Sequence, residues 1–208
     1  MNHVSIVYRR DLLTHRFYRR WVAGVLSVDE LRDYACQYAK VVAALPRWLH
    51  SAAANLPPAR ARLERHARDE QSHVWLWLRF AEALGLSEDQ VAAADPKSST
   101  VQLLKRGTQL SAQPSGVAVA WAVEVQTPAV STLKLEALST HYGIDASTGG
   151  AYFKVHSKRD LIHTTELDLL IARFDPVTLY AAQRTADVIT DGLWDLLSSV
   201  NRPVHDHG

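Results

Sequence analysis

At 208 residues the chain is long enough for one domain with a sizeable core, and a formal net charge of +1, from 23 Lys plus Arg against 22 Asp plus Glu, gives no electrostatic case for nucleic acid or an anionic membrane. A hydrophobic content of 47% argues against disorder. The polar start Met1–Arg10 lacks the apolar core of a signal peptide, no stretch is long and apolar enough to span a bilayer, and the single cysteine, Cys36, excludes an intrachain disulfide framework and suits a reducing cytoplasm.

The apolar pattern is helical nearly everywhere, with no convincing alternating strand. A first helix is predicted over Leu12 to Val22. Ser27 with Glu30 three residues later reads as a capping box opening a long helix through Asp33, Tyr38 and Val42, which Pro46 is expected to kink. Pro57 and Pro58 begin the next helix, which runs through Trp77 to a natural stop at Gly85. Ser87 with Gln90 forms a second capping box, and another helix lies between Thr100 and Ala112. Pro114-Ser115-Gly116 breaks the chain before a helix from Val117 to about His141. A loop follows from Gly143 to Gly150, then a helix from Tyr152 to Phe174. Asp175-Pro176 caps a last helix ending near Val200. The expectation is an all-α, compact bundle of seven or eight helices, one domain over residues 1–208, with about 202–208 as a flexible tail.

Ten histidines are many for this length, and only His205 and His207 lie in the tail. His156, Asp160 and His163 stand at i, i+4 and i+7, and on a helix those positions fall within roughly 60° of one another. His66, Glu70 and His73 repeat the same spacing. Glu124 is isolated at the end of the apolar run Val117 to Val123, where a carboxylate is costly unless paired or coordinated. Taken singly, each histidine reads as structural or solvent-facing, and the 62–73 segment is charged enough to be a wetted helix face. The agreement in phase across two helices, together with Glu124, favours a metal site. Its nitrogen and oxygen donors disfavour structural zinc and suit iron or manganese. Three carboxylates with neutral histidines would leave two divalent cations with a small net charge. Pro128 removes the N–H that would reach the Glu124 carbonyl, so the helix should loosen beside that carboxylate.

At these residues the chain resembles the heme-oxygenase-like dimetal oxidases, and within them the CADD-type proteins of folate metabolism that make 4-aminobenzoate. The resemblance covers most of the chain. It rests on Glu124 and His156-x-x-x-Asp160-x-x-His163, with Tyr152-Phe153-Lys154-Val155 leading in. Phe17-Tyr18-Arg19-Arg20-Trp21, Leu31-Arg32-Asp33-Tyr34, Gln37-Tyr38 and the run Leu76 to Gly85 after His73 extend it. The resemblance implies a heme-oxygenase-like fold and two divalent metal ions, Fe/Fe or Fe/Mn, with dioxygen as co-substrate and an external reductant. It implies metal ligation by Glu70, His73, Glu124, His156, Asp160 and His163. Lys134, ten residues after Glu124, falls where the CADD-type proteins carry an important lysine, and Tyr18, Tyr34 and Tyr152 fall on their site tyrosines. In that chemistry one internal tyrosine supplies the ring and the lysine the nitrogen.

One departure is that the family pattern places a glutamate seven residues before the first histidine ligand, where this chain has His66. Glu70, one turn nearer, fits the shorter Glu-x-x-His spacing of some relatives, so His66 stands as an alternative to Glu70. Three other readings compete. One is a dimetal oxidase acting on a separate small amino acid or fatty acid, which a long apolar tunnel would favour. Another is a thiaminase-like hydrolase using Cys36. The last is a metal-free helical interaction module. A homodimer is compatible with the sequence, and the electron donor is unspecified.

Overall fold

The structure, a computed structural model, describes residues 6–202. The expected tail beyond Arg202, with His205 and His207, lies outside the described residues, as do the first five residues of the polar start. Among the described residues there is no strand, and nine α-helices follow one another: α1 (Arg16–Val22), α2 (Val28–Asn55), α3 (Arg60–Ala83), α4 (Glu88–Ala93), α5 (Ser98–Ser111), α6 (Val117–Glu124), α7 (Thr127–Tyr142), α8 (Ala151–Ile171) and α9 (Pro176–Val200). No helix there is long and apolar enough to cross a membrane.

The helix starts follow from their side chains. Ser27 accepts from the Glu30 N–H while the Ser27 N–H donates to Glu30 Oε2 at 3.0 Å. Ser87 and Gln90 repeat that reciprocal pair, and Asp175 accepts from the N–H groups of Val177 and Thr178. Glu30 also joins separate helices. Arg20 grips both its oxygens at 2.6 and 2.9 Å and donates to Asn201 as well, tying α1, α2 and the end of α9 together. The predicted first helix is divided, with a 3-10 turn over Leu12–Thr14 and then α1, because His15 is extended and caps Phe17. Pro46 does not divide α2, which continues through it to Asn55.

The largest correction falls after Glu124. The helix expected from Val117 to about His141 is two helices, α6 and α7. Pro128 cannot donate to the Glu124 carbonyl, and the Thr127 hydroxyl takes the Val123 carbonyl instead at 2.7 Å. At the break the buried Gln126 amide accepts from the Leu12 N–H at 2.8 Å and donates to the Arg10 carbonyl at 2.9 Å. The Gln126 side chain thus satisfies backbone groups of the N-terminal segment.

Helix α2 packs on α3, α7 on α8, and α9 on both α5 and α6, around a core that includes Trp21, Tyr34, Phe80 and Leu138. The α7–α8 loop docks at the end of α3. Gly149 has φ +137°, and a Cβ there would stand 2.5 Å from that of Ala83, so only glycine allows the approach. That docking starts α8 beside the end of α3, and the two run antiparallel: His66 meets His163, His73 meets His156, and Trp77 meets Tyr152.

Candidate metal centre and the lysine cavity

Helices α3, α6 and α8 direct His66, Glu70, His73, Glu124, His156, Asp160 and His163 into one interior region, and all but the partly buried His73 are buried. Ligand atoms of His66, Glu70, Glu124 and His163 lie within 4.8 Å of one another, and those of Glu70, His73 and His156 form a second such group. Glu70 belongs to both. His66 Nε2 is 2.8 Å from Glu124 Oε1. Glu70 Oε1 is 3.3 Å from His73 Nδ1 and 3.5 Å from His163 Nδ1, and Glu70 Oε2 is 3.4 Å from His156 Nε2.

These residues fit a metal. Glu70 Oε1, His73 Nδ1, Glu124 Oε2, both Asp160 oxygens and His163 Nδ1 are buried without a hydrogen-bond partner. Buried polar atoms are nearly always paired, so six orphans in one pocket call for a cation. Ligand atoms about 2.1 Å from one ion stand roughly 3–3.5 Å apart, close to the 3.3–3.5 Å that separates Glu70 from His73, His156 and His163. The outer nitrogens are held as ligating imidazoles usually are. His156 Nδ1 lies 2.7 Å from the Tyr152 carbonyl, leaving Nε2 facing Glu70. His163 Nε2 lies 3.5 Å from Asp69, itself paired with Arg159.

The charges are strongly coupled. Burial pushes the Asp160 carboxyl up, and the nearby Glu124 and Glu70 carboxylates add to the rise, leaving it well above the usual range. Burial also opposes ionisation of Glu70, but the neighbouring imidazoles of His156, His163 and His73 prevail and hold it well below. For His66, burial favours the neutral ring, yet Glu124 prevails and raises its pKa.

A second cluster adjoins the first. Lys134 on α7 is buried, and its Nζ donates to the hydroxyls of Tyr34 at 2.6 Å and Tyr18 at 3.0 Å. The rings of Tyr18, Trp21, Tyr34, Tyr38 and Phe153 surround that nitrogen with centroids 4.3–5.7 Å away. Burial drives its pKa well below that of an ordinary lysine, and it keeps the phenols of Tyr18, Tyr34 and Tyr152 protonated. Tyr18, Tyr34, Tyr38, Trp77, Lys134 and Tyr152 share a cavity of about 20 Å³, room for about one water. Tyr152 joins the two clusters, since its ring stacks on His156 with centroids 3.8 Å apart.

Sequence reasoning missed Tyr38 and Trp77 as cavity walls and Asp69 as the partner of His163. Tyr38 stands four residues after Tyr34 on the same helical face, a readable signal. Asp69 was passed over because charged residues crowd that segment. Cys36 is buried, and burial together with the Asp33 charge raises its thiol pKa, the opposite of an activated nucleophile.

An all-helical bundle with an interior imidazole–carboxylate pocket is the architecture of non-heme iron proteins. The sequence matches the model of the family described as iron-containing redox enzyme over residues 32–194, and the chain belongs to that family. It is 31% identical over 203 residues to a Chlamydia pneumoniae protein named 4-aminobenzoate synthase, covering 91% of this chain and 89% of that one. A Nitrosomonas europaea protein of the same name is 29% identical, covering 95% and 88%. The fold is shared with a TenA homolog from Pseudomonas syringae pv. tomato, at TM-score 0.79 and 15% identity over 91% of this chain and 86% of that one. A CADD-like protein of unknown function from Nostoc punctiforme superposes at TM-score 0.69 and 17% identity, covering 91% and 89%. At those identities the two structures speak for the heme-oxygenase-like fold alone.

Proposed function

We propose that this protein is a 4-aminobenzoate synthase: a dimetal, oxygen-dependent oxidase that takes the ring from one of its own tyrosines, Tyr18 or Tyr34, and the nitrogen from Lys134. The observation that carries this reading is the Lys134 amine held between those two hydroxyls in a water-sized cavity beside the pocket. A fatty acid has no room there, and an internal substrate needs none.

His66, Glu70, His73, Glu124, His156, Asp160 and His163 would hold the two metals, iron with iron or iron with manganese. When bound, such a pair supplies the means to reduce dioxygen with electrons from an external donor and so to oxidise a nearby substrate. The chain's own groups do the rest. Desolvation keeps Lys134 as the free amine, whose lone pair makes it a nucleophile. The rings of Trp21, Tyr38 and Phe153 fix that amine against its two partners and exclude bulk water. Turning a tyrosine into 4-aminobenzoate requires the Lys134 nitrogen to replace the ring hydroxyl, whose oxygen leaves as water, and its Cε–Nζ bond to break; at the other end of the ring the Cα–Cβ bond is cleaved and Cβ oxidised to a carboxylate, with dioxygen as oxidant, which accounts for an oxidase site one ring away, across Tyr152. Each round would consume the chain that performs it.

The test is rescue of a strain that requires 4-aminobenzoate, comparing wild type with Lys134→Ala, Tyr18→Phe and Tyr34→Phe. Wild type should rescue, whereas Lys134→Ala and one of the two Phe variants should not. Protein labelled with ¹⁵N at the lysine side chain should pass the label into the product. A metal-loaded wild type that fails to rescue would transfer the site to oxidation of a separate small molecule. Rescue by Lys134→Ala equal to wild type would remove the lysine as nitrogen source.

A further inference from the structure

We propose that His66 and Glu70 would both hold metal, Glu70 being common to the two donor groups, and that His66 makes the position it shares with Glu124 and His163 selective for iron over manganese. This rests on the two-metal reading above and deepens it.

His66 has no other polar engagement of comparable quality. Its ring is buried and lies 3.7 Å from that of His163, centroid to centroid. Its Nε2 stands at hydrogen-bond distance, 2.8 Å, from Glu124 Oε1, and a ligand atom of the ring lies within 4.8 Å of those of Glu70, Glu124 and His163. The seven donors divide naturally around Glu70. One side holds His66, Glu124 and His163, and the other holds His73 and His156, with a Glu70 oxygen within reach of both groups. The buried, unpartnered oxygens of Asp160 would provide the third carboxylate. Each cation is thus offered two imidazoles, and together they share three carboxylates. Two divalent ions against three negative charges leave a single net positive charge, tolerable in a buried site.

Donor type sets the preference. Imidazole suits iron, whereas carboxylate and water suit manganese, which also binds nitrogen-rich sites more weakly than iron does. Had residue 66 been a carboxylate, the Glu124–His163 position would hold one imidazole among oxygens and would discriminate less. If instead His66 only oriented Glu124 through a hydrogen bond, its loss would weaken both metals together without changing their ratio.

The experiment strips the full chain of metal, incubates it anaerobically with equimolar ferrous and manganous ions, and reads bound metal by elemental analysis for wild type, His66→Glu and His66→Gln. Wild type should bind at least as much iron as manganese, since the His66 position is to hold iron. In either variant the ratio of bound iron to manganese should fall by about tenfold or more, with total uptake recovering better in His66→Glu, which restores a ligand. Manganese in excess of iron in wild type would overturn the proposal. So would a lower uptake of both metals at an unchanged ratio in the variants. Cobalt provides a check independent of variant yield. The visible spectrum of the cobalt-loaded wild type should change in His66→Gln at matched occupancy, and an unchanged spectrum would count against ligation. No product is measured, so an iron-selective protein that makes no 4-aminobenzoate would sustain this inference while ending the functional one.

Discussion

Replacing Lys134 by Met removes the buried amine while keeping an unbranched side chain, and it tests whether the fold holds that amine neutral. Two effects oppose each other at Nζ. The surrounding rings attract a cation, worth about 2 kcal/mol or more when desolvated. Burying an ammonium with no carboxylate bonded to it costs several kcal/mol even after relaxation, and only two phenol hydroxyls meet it here. Desolvation wins, and the folded-state pKa falls well below that of a free lysine. In the unfolded chain the same amine titrates near about 10.4. Between the folded value and that one, the unfolded chain carries the extra proton. Wild-type stability therefore falls as the pH is lowered, by about 1.4 kcal/mol per pH unit from this group, and the effect vanishes above about pH 10.4. Lys134→Met lacks this dependence but leaves the Tyr18 and Tyr34 hydroxyls short of a partner, a cost of about 1–3 kcal/mol at every pH. Urea unfolding of both metal-free proteins at about pH 9.5 and about pH 8.5 isolates the term, because all other titrations are common to the two. The variant should gain on wild type by close to the full per-unit slope between those pH values. A stability difference that does not change with pH would refute the neutral-amine argument and with it the nucleophile.

Two further predictions follow from the geometry. Because Glu70 lies in both donor groups, Glu70→Ala should lose metal from both positions, with affinity down by more than the roughly 10–100-fold typical of residues that merely support a ligand; elemental analysis showing one position still full would make Glu70 a terminal ligand. Gln126→Ala removes two buried hydrogen bonds to the Leu12 N–H and the Arg10 carbonyl, so it should lower stability by about 1–3 kcal/mol, and unfolding indistinguishable from wild type would mean that the α6–α7 break does not depend on that amide.

Much of this molecule is written in local sequence. Capping pairs such as Ser27 with Glu30 and Ser87 with Gln90 specify helix starts within a few residues, because their partners are fixed by a single turn of backbone. The i, i+4, i+7 spacing of His156, Asp160 and His163, and of His66, Glu70 and His73, places three donors on one face for the same reason. Whatever depends on how helices meet is not local. Pro128 announced a weakness after Glu124, but the pairing of the Gln126 amide at the break with the backbone of Leu12 and Arg10 runs between elements more than a hundred residues apart. The choice between His66 and Glu70 could not be made along α3, since both face the same way. It took the approach of Glu124 from α6 and His163 from α8 to bring both residues into one group of potential ligand atoms. Lys134, Tyr18 and Tyr34 stand on three helices with no shared period, and only the crossing of α1, α2 and α7 brings one amine between two phenols in space too dry to keep it charged.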